Sequence, residues 1–320
     1  MTSAARWGLC ATVKAPAADV LRFAAFHLSA GAHRIHICLD APNPGAFAAL
    51  KAHPKCRVTQ CDDAYWQQVK GHRPAKHQIR QSFNATRTYR RVRDVDWLIH
   101  MDVDEFLVSE LPVASALAAL PQNIQSARTR PMEALAPSDA ATFPDAFKKF
   151  LPNGPARLET AMRLYPTFGA YVKGGFVSHV AGKLFVRTGL PDMKIRIHNA
   201  QQNEQMNPRS TELDQVALAH CHASNWQAWR DAYQYRFEKG SYRANLAPAI
   251  PEADGGLTLH ALFKTIRAHE GEHGLRTFFD EVCADTPEHR SRLEKEQLLV
   301  VHDLALETHL KTHFPDFTNG

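Results

Sequence analysis

Two carboxylates separated by one residue, Asp102 and Asp104, close the stretch Val95, Asp96, Trp97, Leu98, Ile99, His100, Met101, Asp102, Val103, Asp104, Glu105, Phe106, Leu107. The apolar run from Trp97 to Met101 reads as a buried strand. On an extended chain residues i and i+2 point to the same side, so both carboxylates are expected to face one small volume. Two hard oxygen ligands there, beside positions left for water and phosphate oxygens, suit Mg²⁺ or Mn²⁺ bound to a diphosphate better than a closed structural metal site. The competing reading is an acidic loop that only caps the next element. The strand before the pair, and Phe106 and Leu107 after it, favour a buried and positioned pair.

Three other groups of residues carry chemistry. His220 and His222, in Leu218, Ala219, His220, Cys221, His222, Ala223, Ser224, Asn225, Trp226, lie on one side of an extended strand. Neutral imidazole is an acceptable ligand for Mn²⁺ and a poorer one for Mg²⁺; otherwise these are a core histidine and an exposed one. No second Cys/His cluster sits at the spacing a zinc finger needs. Gly174 and Gly175 allow the backbone to approach a ligand closely, and Lys183 offers a mobile point charge to a diphosphate, the alternative being a hairpin with surface lysines. Arg80, with Gln78 and Asn84 at the start of a long helix, is placed for a diphosphate because helix amino ends favour anions, while Arg87, Arg90, Arg91 and Arg93 read as a plain charged face.

Alternating strand and helix patterns must position these groups. Trp7 to Val13 reads as a strand, Pro16 opens a helix that Gly31 ends, and Arg34 to Leu39 is a second strand. Phe47 to Ala52 is a short helix, Arg57 to Gln60 a short strand, and a helix from about Lys76 to Arg93 leads to the Asp102 strand. Strands separated by helices imply an α/β fold with a mostly parallel sheet covered on both faces, whose ligand site lies at the carboxyl ends of the strands. Asp40 and Asp102 both fall at such ends. Beyond Leu107 the pattern gives a small helix at Pro112 to Leu120, strands at Asn123 to Arg130, Lys183 to Arg187 and Lys194 to His198, and a helical last hundred residues. Those helices are Asn225 to Lys239, Leu259 to His269, Leu275 to Cys283 and a charged one from Pro287 to about Thr312.

At 320 residues and 44% hydrophobic content the chain can bury a full core. No apolar run approaches the roughly 20 residues of a membrane helix. Met1 to Trp7 lacks the pattern of a signal peptide, and six scattered cysteines fit reduced thiols, so a cytoplasmic protein is expected. A net charge of +5, spread along the chain, gives a mild preference for anionic substrates or a membrane surface and does not point to nucleic acid.

Residues 94 to 107 resemble the Asp-x-Asp region of nucleotide-sugar-dependent glycosyltransferases of the GT-A fold, in particular a bacterial family-two-like group with an Asp-Trp-(apolar)-Asp-x-Asp-Glu-Phe-Leu signature. Val13, Lys14, the run Phe26 to Gly31 and Asp40 resemble the opening of that family, although Ala15 and Pro16 stand where Asn-Glu is common, and Ala41 and Pro42 depart from the usual pattern after the second strand. His220, Ser224, Lys239 and Gly240 match a His-x-x-x-Ser stretch ahead of a helix, and Lys183, Phe185 and Arg187 match a Gly-Lys before a Phe-x-Arg strand. The resemblance covers most of residues 8 to 240. It implies a GT-A-like catalytic domain over 1–222, with a Rossmann-like nucleotide half over 1–107 and an acceptor half over 108–222, followed by a helical extension over 223–320.

The implied activity is a metal-dependent, hexosyltransferase-like glycosyltransferase acting in cell-surface polysaccharide synthesis. It would move a sugar from a UDP- or GDP-linked donor to a glycan or glycolipid, with inversion, and would be compatible with peripheral association at the inner membrane. Asp102, Asp104 and His220 would hold Mn²⁺ or Mg²⁺, while Lys14, Asp40, Arg80, Asp102 and Lys183 would bind the donor. An inverting reaction needs a carboxylate to take the acceptor proton, for which Glu133 is the first choice and Asp214 the reserve. Two alternatives stand beside this. One is a non-catalytic glycan- or nucleotide-sugar-binding protein on the same scaffold. The other is a haloacid-dehalogenase-type phosphatase, which ranks behind because Phe106 stands where that family has Thr or Val and no downstream Lys and Asp-Asp set is evident.

Overall fold

The computed structural model describes residues 4–251, 253 and 255–318; Met1 to Ser3, part of the segment read for a signal peptide, lie outside them. In chain order the elements begin β1 (Trp7–Val13), α1 (Ala17–Ser29), β2 (Arg34–Leu39), α2 (Pro44–Ala52), β3 (Cys56–Gln60), α3 (Asp63–Lys70), α4 (His77–Arg91) and β4 (Trp97–His100). They continue β5 (Glu105–Ser109), α5 (Val113–Ala118), β6 (Ser126–Ala134), β7 (Ala146–Lys149), α6 (Arg157–Leu164), β8 (Lys183–Arg187), β9 (Met193–Ile195), β10 (Ala200–Gln202), β11 (Gln205–Met206) and β12 (Ser210–His220). The last are α7 (Trp226–Glu238), α8 (Leu259–His269), α9 (Gly271–Val282), α10 (Pro287–Lys295), β13 (Leu299–Val301) and α11 (Leu306–His313).

The chain forms two compact units, each assembled from separated segments. The first takes the residues up to Arg130, Ala181–Leu218 and those from Ala305 on; the second takes Pro131–Val180 and Ala219–Leu304. This differs from a single cut near residue 222. Strands β6 and β12 run out of one unit and into the other, so the units follow spatial packing and not chain order.

In the first unit the strands run β6, β8, β4, β1, β2, β3, with β4, β1, β2 and β3 mutually parallel and β8 antiparallel to β4. Strand β1 is buried at all seven positions, as expected of a central parallel strand covered on both faces. Its alternation separates the two covers. Trp7 meets His27 of α1, while Cys10 clusters with Ala85 and Tyr89 of α4, so α1 and α4 lie on opposite faces. From β1 the chain steps through β2 to β3 and then returns to place β4 on the other side of β1. This makes the gap between the carboxyl ends of β1 and β4 the topological switch point, the place where open α/β sheets bind ligands.

In the second unit β7 lies between the Met132–Ala134 part of β6 and β13, antiparallel to both. Pro131, which has no N–H to donate, falls where β6 changes partner from β8 to β7. Helices α7 to α10 bury an aromatic core of Trp229, Tyr233, Tyr242, Phe263, Phe278 and Phe279. The long charged helix expected from Pro287 to Thr312 is instead α10, strand β13 and α11. The breaks coincide with Gln297 at φ 58° and Ala305 at φ 46°, left-handed conformations that no helix continues through, and β13 is held by its pairing with β7. Helix α3 escaped the sequence reading although its signals are present: Asp62 accepts from the Tyr65 amide at 2.8 Å, and Gly71 at φ 81° ends it.

Candidate active site

At the switch point β4 ends with His100, and the Met101 amide donates to the Cys10 carbonyl at 3.0 Å, extending the pairing with β1 by one residue. The chain then turns. The Glu105 amide donates to the Asp102 carbonyl at 3.2 Å, and the Asp102 amide donates to the Glu105 carboxylate at 2.8 Å, a reciprocal lock across four residues. Asp102 and Asp104 are therefore not alternate residues of an extended strand, because Asp104 lies within this turn and is half-buried. Strand alternation is not what orients the pair.

Asp102 is held on both oxygens. Oδ1 accepts from Gln81 of α4, and Oδ2 accepts from the Lys183 ammonium at 2.6 Å. Lys183 also stands 3.3 Å from Glu105. Lys183 and Glu105 are fully buried, while the Asp102 side chain keeps 31% of its surface exposed, so Asp102 is the member that reaches water. Burial alone would lower the lysine pKa, but Asp102 and then Glu105 raise it well above the ordinary value, and the ammonium stays charged. Beside it the His100 imidazole is pushed down to about 4, first by burial and then by Lys183, and is neutral near pH 7. Lys183 starts β8 directly after Gly182, at φ 67°, where a Cβ would collide with the Thr129 carbonyl of β6. A glycine is what lets β8 begin so close to β6 and seat the lysine under Asp102. Arg128 secures the same corner, donating to the carbonyls of Ala181 at 2.6 Å and His198 at 2.9 Å.

Asp40, one residue past β2, is buried and ringed by basic side chains. Arg73 reaches it at 3.0 Å, Arg80 Nε at 2.8 Å and His77 Nδ1 at 3.5 Å. Burial opposes its charge, yet His77, Arg80 and Arg73 hold its carboxyl below the usual range. Arg80 also donates to the carbonyls of Pro74 at 2.7 Å and Ala75 at 2.9 Å, so it braces the loop before α4. Arg73, with about a third of its side chain exposed, is the more accessible guanidinium at this edge. Lys14 is exposed on a cleft of about 320 Å³ at the ends of β1 and β2, walled by Val13, Pro16, Leu39, Ala41 and Asn43. On α4, Asn84 donates to Thr12 at 3.2 Å and accepts from Tyr65 at 2.7 Å; with Gln81 three residues before it, it makes the buried face of α4 partly polar.

The second unit contains Glu133 and the histidines. Glu133 is 1% exposed. It accepts from the amides of Val177 at 3.2 Å and Ser178 at 2.7 Å and pairs with the equally buried Lys148 at 3.2 Å. Burial would raise its pKa, but Lys148 and the Ser178 and Val177 donors hold it below the ordinary value, which makes a stable carboxylate and a weak proton acceptor. Gly174 and Gly175 are both buried, and a Cβ on Gly174 would collide with the Phe150 ring. The His220 ring lies 4.9 Å from that of His179 and 5.2 Å from that of His222. His222 shares a 3.3 Å hydrogen bond with the Tyr242 hydroxyl, and burial, followed by Arg236, drives its pKa well below the ordinary value. Asp214, on β12 in the first unit, is exposed.

Asp102, Lys183 and Glu105 thus form one cluster, and Asp40 with Arg73, His77 and Arg80 another, both at the carboxyl edge of the first unit. Glu105, Gln81, Arg73 and His77 belong to these clusters and were not singled out in the sequence. Only Glu105 carried a signal in the sequence, by its place in the Asp102 motif.

No protein-family model matches this chain, and no curated protein does. Among solved structures, a mycobacterial protein aligns with a TM-score of 0.32 and 12% identity over 62% of this chain and 59% of its own. The galactosyltransferase LgtC, crystallised with donor and acceptor sugar analogues, gives a TM-score of 0.29 and 12% identity over 56% of this chain and 57% of its own. HddC from Yersinia pseudotuberculosis gives 0.27 and 10% over 45% and 68%. The chain spans less than two thirds of the length of the first two. Among the described residues no helix is long and apolar enough to cross a membrane.

Proposed function

We propose that the chain is a glycosyltransferase whose nucleotide-sugar donor binds at the carboxyl edge of the first unit, over the switch point between β1 and β4. The observation that carries this reading is Asp102: a partly exposed carboxylate at the switch point, fixed by Gln81 and by a lysine that is itself wholly buried. A buried charged pair adds little net stability because desolvation offsets its attraction, so stability alone does not account for this arrangement.

Asp102 and Asp104 are the residues that would hold Mn²⁺ or Mg²⁺. Their hard oxygens fit, and the Asp102 side chain keeps 31% of its surface exposed at the switch point. When bound, the ion would supply charge stabilisation to the departing nucleoside diphosphate. The chain's own contribution is positional. Lys183 holds Asp102 and adds a buried positive charge, Asp40 orients Arg73 at the same edge, and the Lys14 cleft offers room for part of a nucleoside. The glycan or glycolipid acceptor, the inverting outcome and a place in cell-surface polysaccharide synthesis rest on the resemblance of residues 94 to 107.

One observation favours a second reading, donor binding without turnover: Glu133 is buried against Lys148, Val177 and Ser178 and is not poised as a base. Thermal shift with UDP- and GDP-sugars, with and without Mn²⁺, followed by donor-consumption assays, separates the two readings. A donor that raises Tm only with Mn²⁺ is expected, since a ligand bound to the folded state stabilises it by mass action. Asp102→Asn and Asp104→Asn should each abolish that shift while leaving the unliganded Tm within a few degrees. A shift that survives both substitutions removes the site from this edge. A shift without consumption leaves the binding protein.

A further inference from the structure

The first unit carries a second concavity, on the α4 face of the sheet and toward the amino ends of β2 and β3. It measures about 510 Å³ and is walled by Arg34 and His36 of β2, Arg57 of β3, Arg87 and Arg91 of α4, and Arg93. Asp94 is the one carboxylate in its wall, and Arg34 takes it, Nε to Oδ2 at 2.7 Å. Arg57, Arg87, Arg91 and Arg93 have no acidic partner among the described residues. Arg57 is turned to the carbonyls of Pro54 and Cys56, and Arg87 lies 5.9 Å from the centre of the Tyr65 ring. Three separate elements thus bring arginines to the wall of one cavity that holds a single acid, with Arg87 half-buried and Arg57, Arg91 and Arg93 also reaching solvent.

His36 supplies an independent sign. Its Nε2 is buried without a hydrogen-bond partner, an arrangement that ordinarily costs stability. Its imidazole is held down to about 4, first by burial, with Asp94 opposing and Arg34 and Arg57 reinforcing, so it is neutral near pH 7 and able to donate or accept. The volume lies within the roughly 300–1,000 Å³ of small-ligand pockets. Planar guanidinium groups match phosphate oxygens two at a time. The carboxyl end of α4 points its negative dipole end here, so recognition has to come from the side chains and not from helix amides.

We propose that this cleft is a second anion site, distinct from the carboxyl edge, which takes a small free molecule bearing a diphosphate or oligophosphate group. The test is calorimetry with inorganic pyrophosphate on the full chain at low salt with EDTA, so that no metal-held phosphate contributes. One pyrophosphate per chain is expected for the wild type and equally for Asp102→Asn. Affinity should fall at least about tenfold in Arg87→Ala/Arg91→Ala and by less in Arg87→Lys/Arg91→Lys, which keeps the charge and loses the paired donors. The His36 imidazole resonances should shift as pyrophosphate is added. Undiminished binding in the alanine variant, or binding abolished by Asp102→Asn, overturns the proposal. So does a chain that ignores pyrophosphate yet binds phosphatidylglycerol vesicles through the same two arginines, since the ligand would then be a membrane surface.

Discussion

Each unit buries a lysine against carboxylate, and the two pairings differ in one respect. Lys148 and Glu133 are each about 1% exposed, and every contact they make ends in protein: the Val282 carbonyl, the amides of Val177 and Ser178, and the Tyr165 ring 5.1 Å from the ammonium. Lys183 and Glu105 are as deeply buried, but their third member, Asp102, is 31% exposed. A sealed pair has structural consequences only, because neither charge can meet a ligand. A pair with one member at the surface can pass the field of a buried charge to whatever binds there. Charge type and spacing do not separate the two cases, whereas exposure does.

The sharpest way to test this contrast is to break the sealed pair. Lys148→Ala leaves Glu133 as an uncompensated buried charge and should cost on the order of 3–5 kcal/mol, read as a drop in the urea midpoint of the second unit. Glu133→Gln should behave alike and leave donor binding unchanged in whatever protein remains folded. A cost under about 1 kcal/mol for both would show that water reaches this pair and that the contrast is misdrawn.

Acid should weaken both units through buried histidines. His27, His36 and His100 in the first unit are held down to about 4, and His289 in the second to about 3, in each case chiefly by burial. Below the unfolded value of roughly 6.5 the unfolded chain binds protons that the folded chain refuses. The stability these neutral rings contribute is therefore whole above about pH 6.5 and is lost as pH falls toward 4. Urea midpoints should decline steadily between pH 6.5 and 4.5. A flat profile there would mean that these rings are less enclosed than their surroundings indicate.

The smallest expected effect sharpens the open cluster. Lys183→Met removes a cation beside Asp102, so Mn²⁺ alone should bind about tenfold tighter while the donor, deprived of a fixed Asp102, binds more weakly. Mn²⁺ and donor affinities falling together would assign Lys183 a purely orienting role.

Much of this was legible in the sequence because local rules suffice for it. Strands β1, β2 and β8 and helix α8 fall where periodicity and turn residues place them, and the alternation of strand and helix up to β4 already implied a parallel sheet with its site at the carboxyl ends. Asp102 and Asp40 were found at those ends for that reason. Helix α3 was legible and overlooked. What was not legible depended on partners distant in the chain. The expected helix from Pro287 to Thr312 is interrupted by a strand that pairs with β7, about 150 positions earlier.

Residue types and local periodicity determined that carboxylates would stand at the end of β4, because an apolar run followed by charged residues needs no distant contact to be read. Tertiary structure decided what those carboxylates do. It turned the chain at Asp102, placed Lys183 under it from 81 positions away, and closed Glu133 against Lys148. Burial and charge pairing are properties of neighbours in space, and a linear sequence does not contain them.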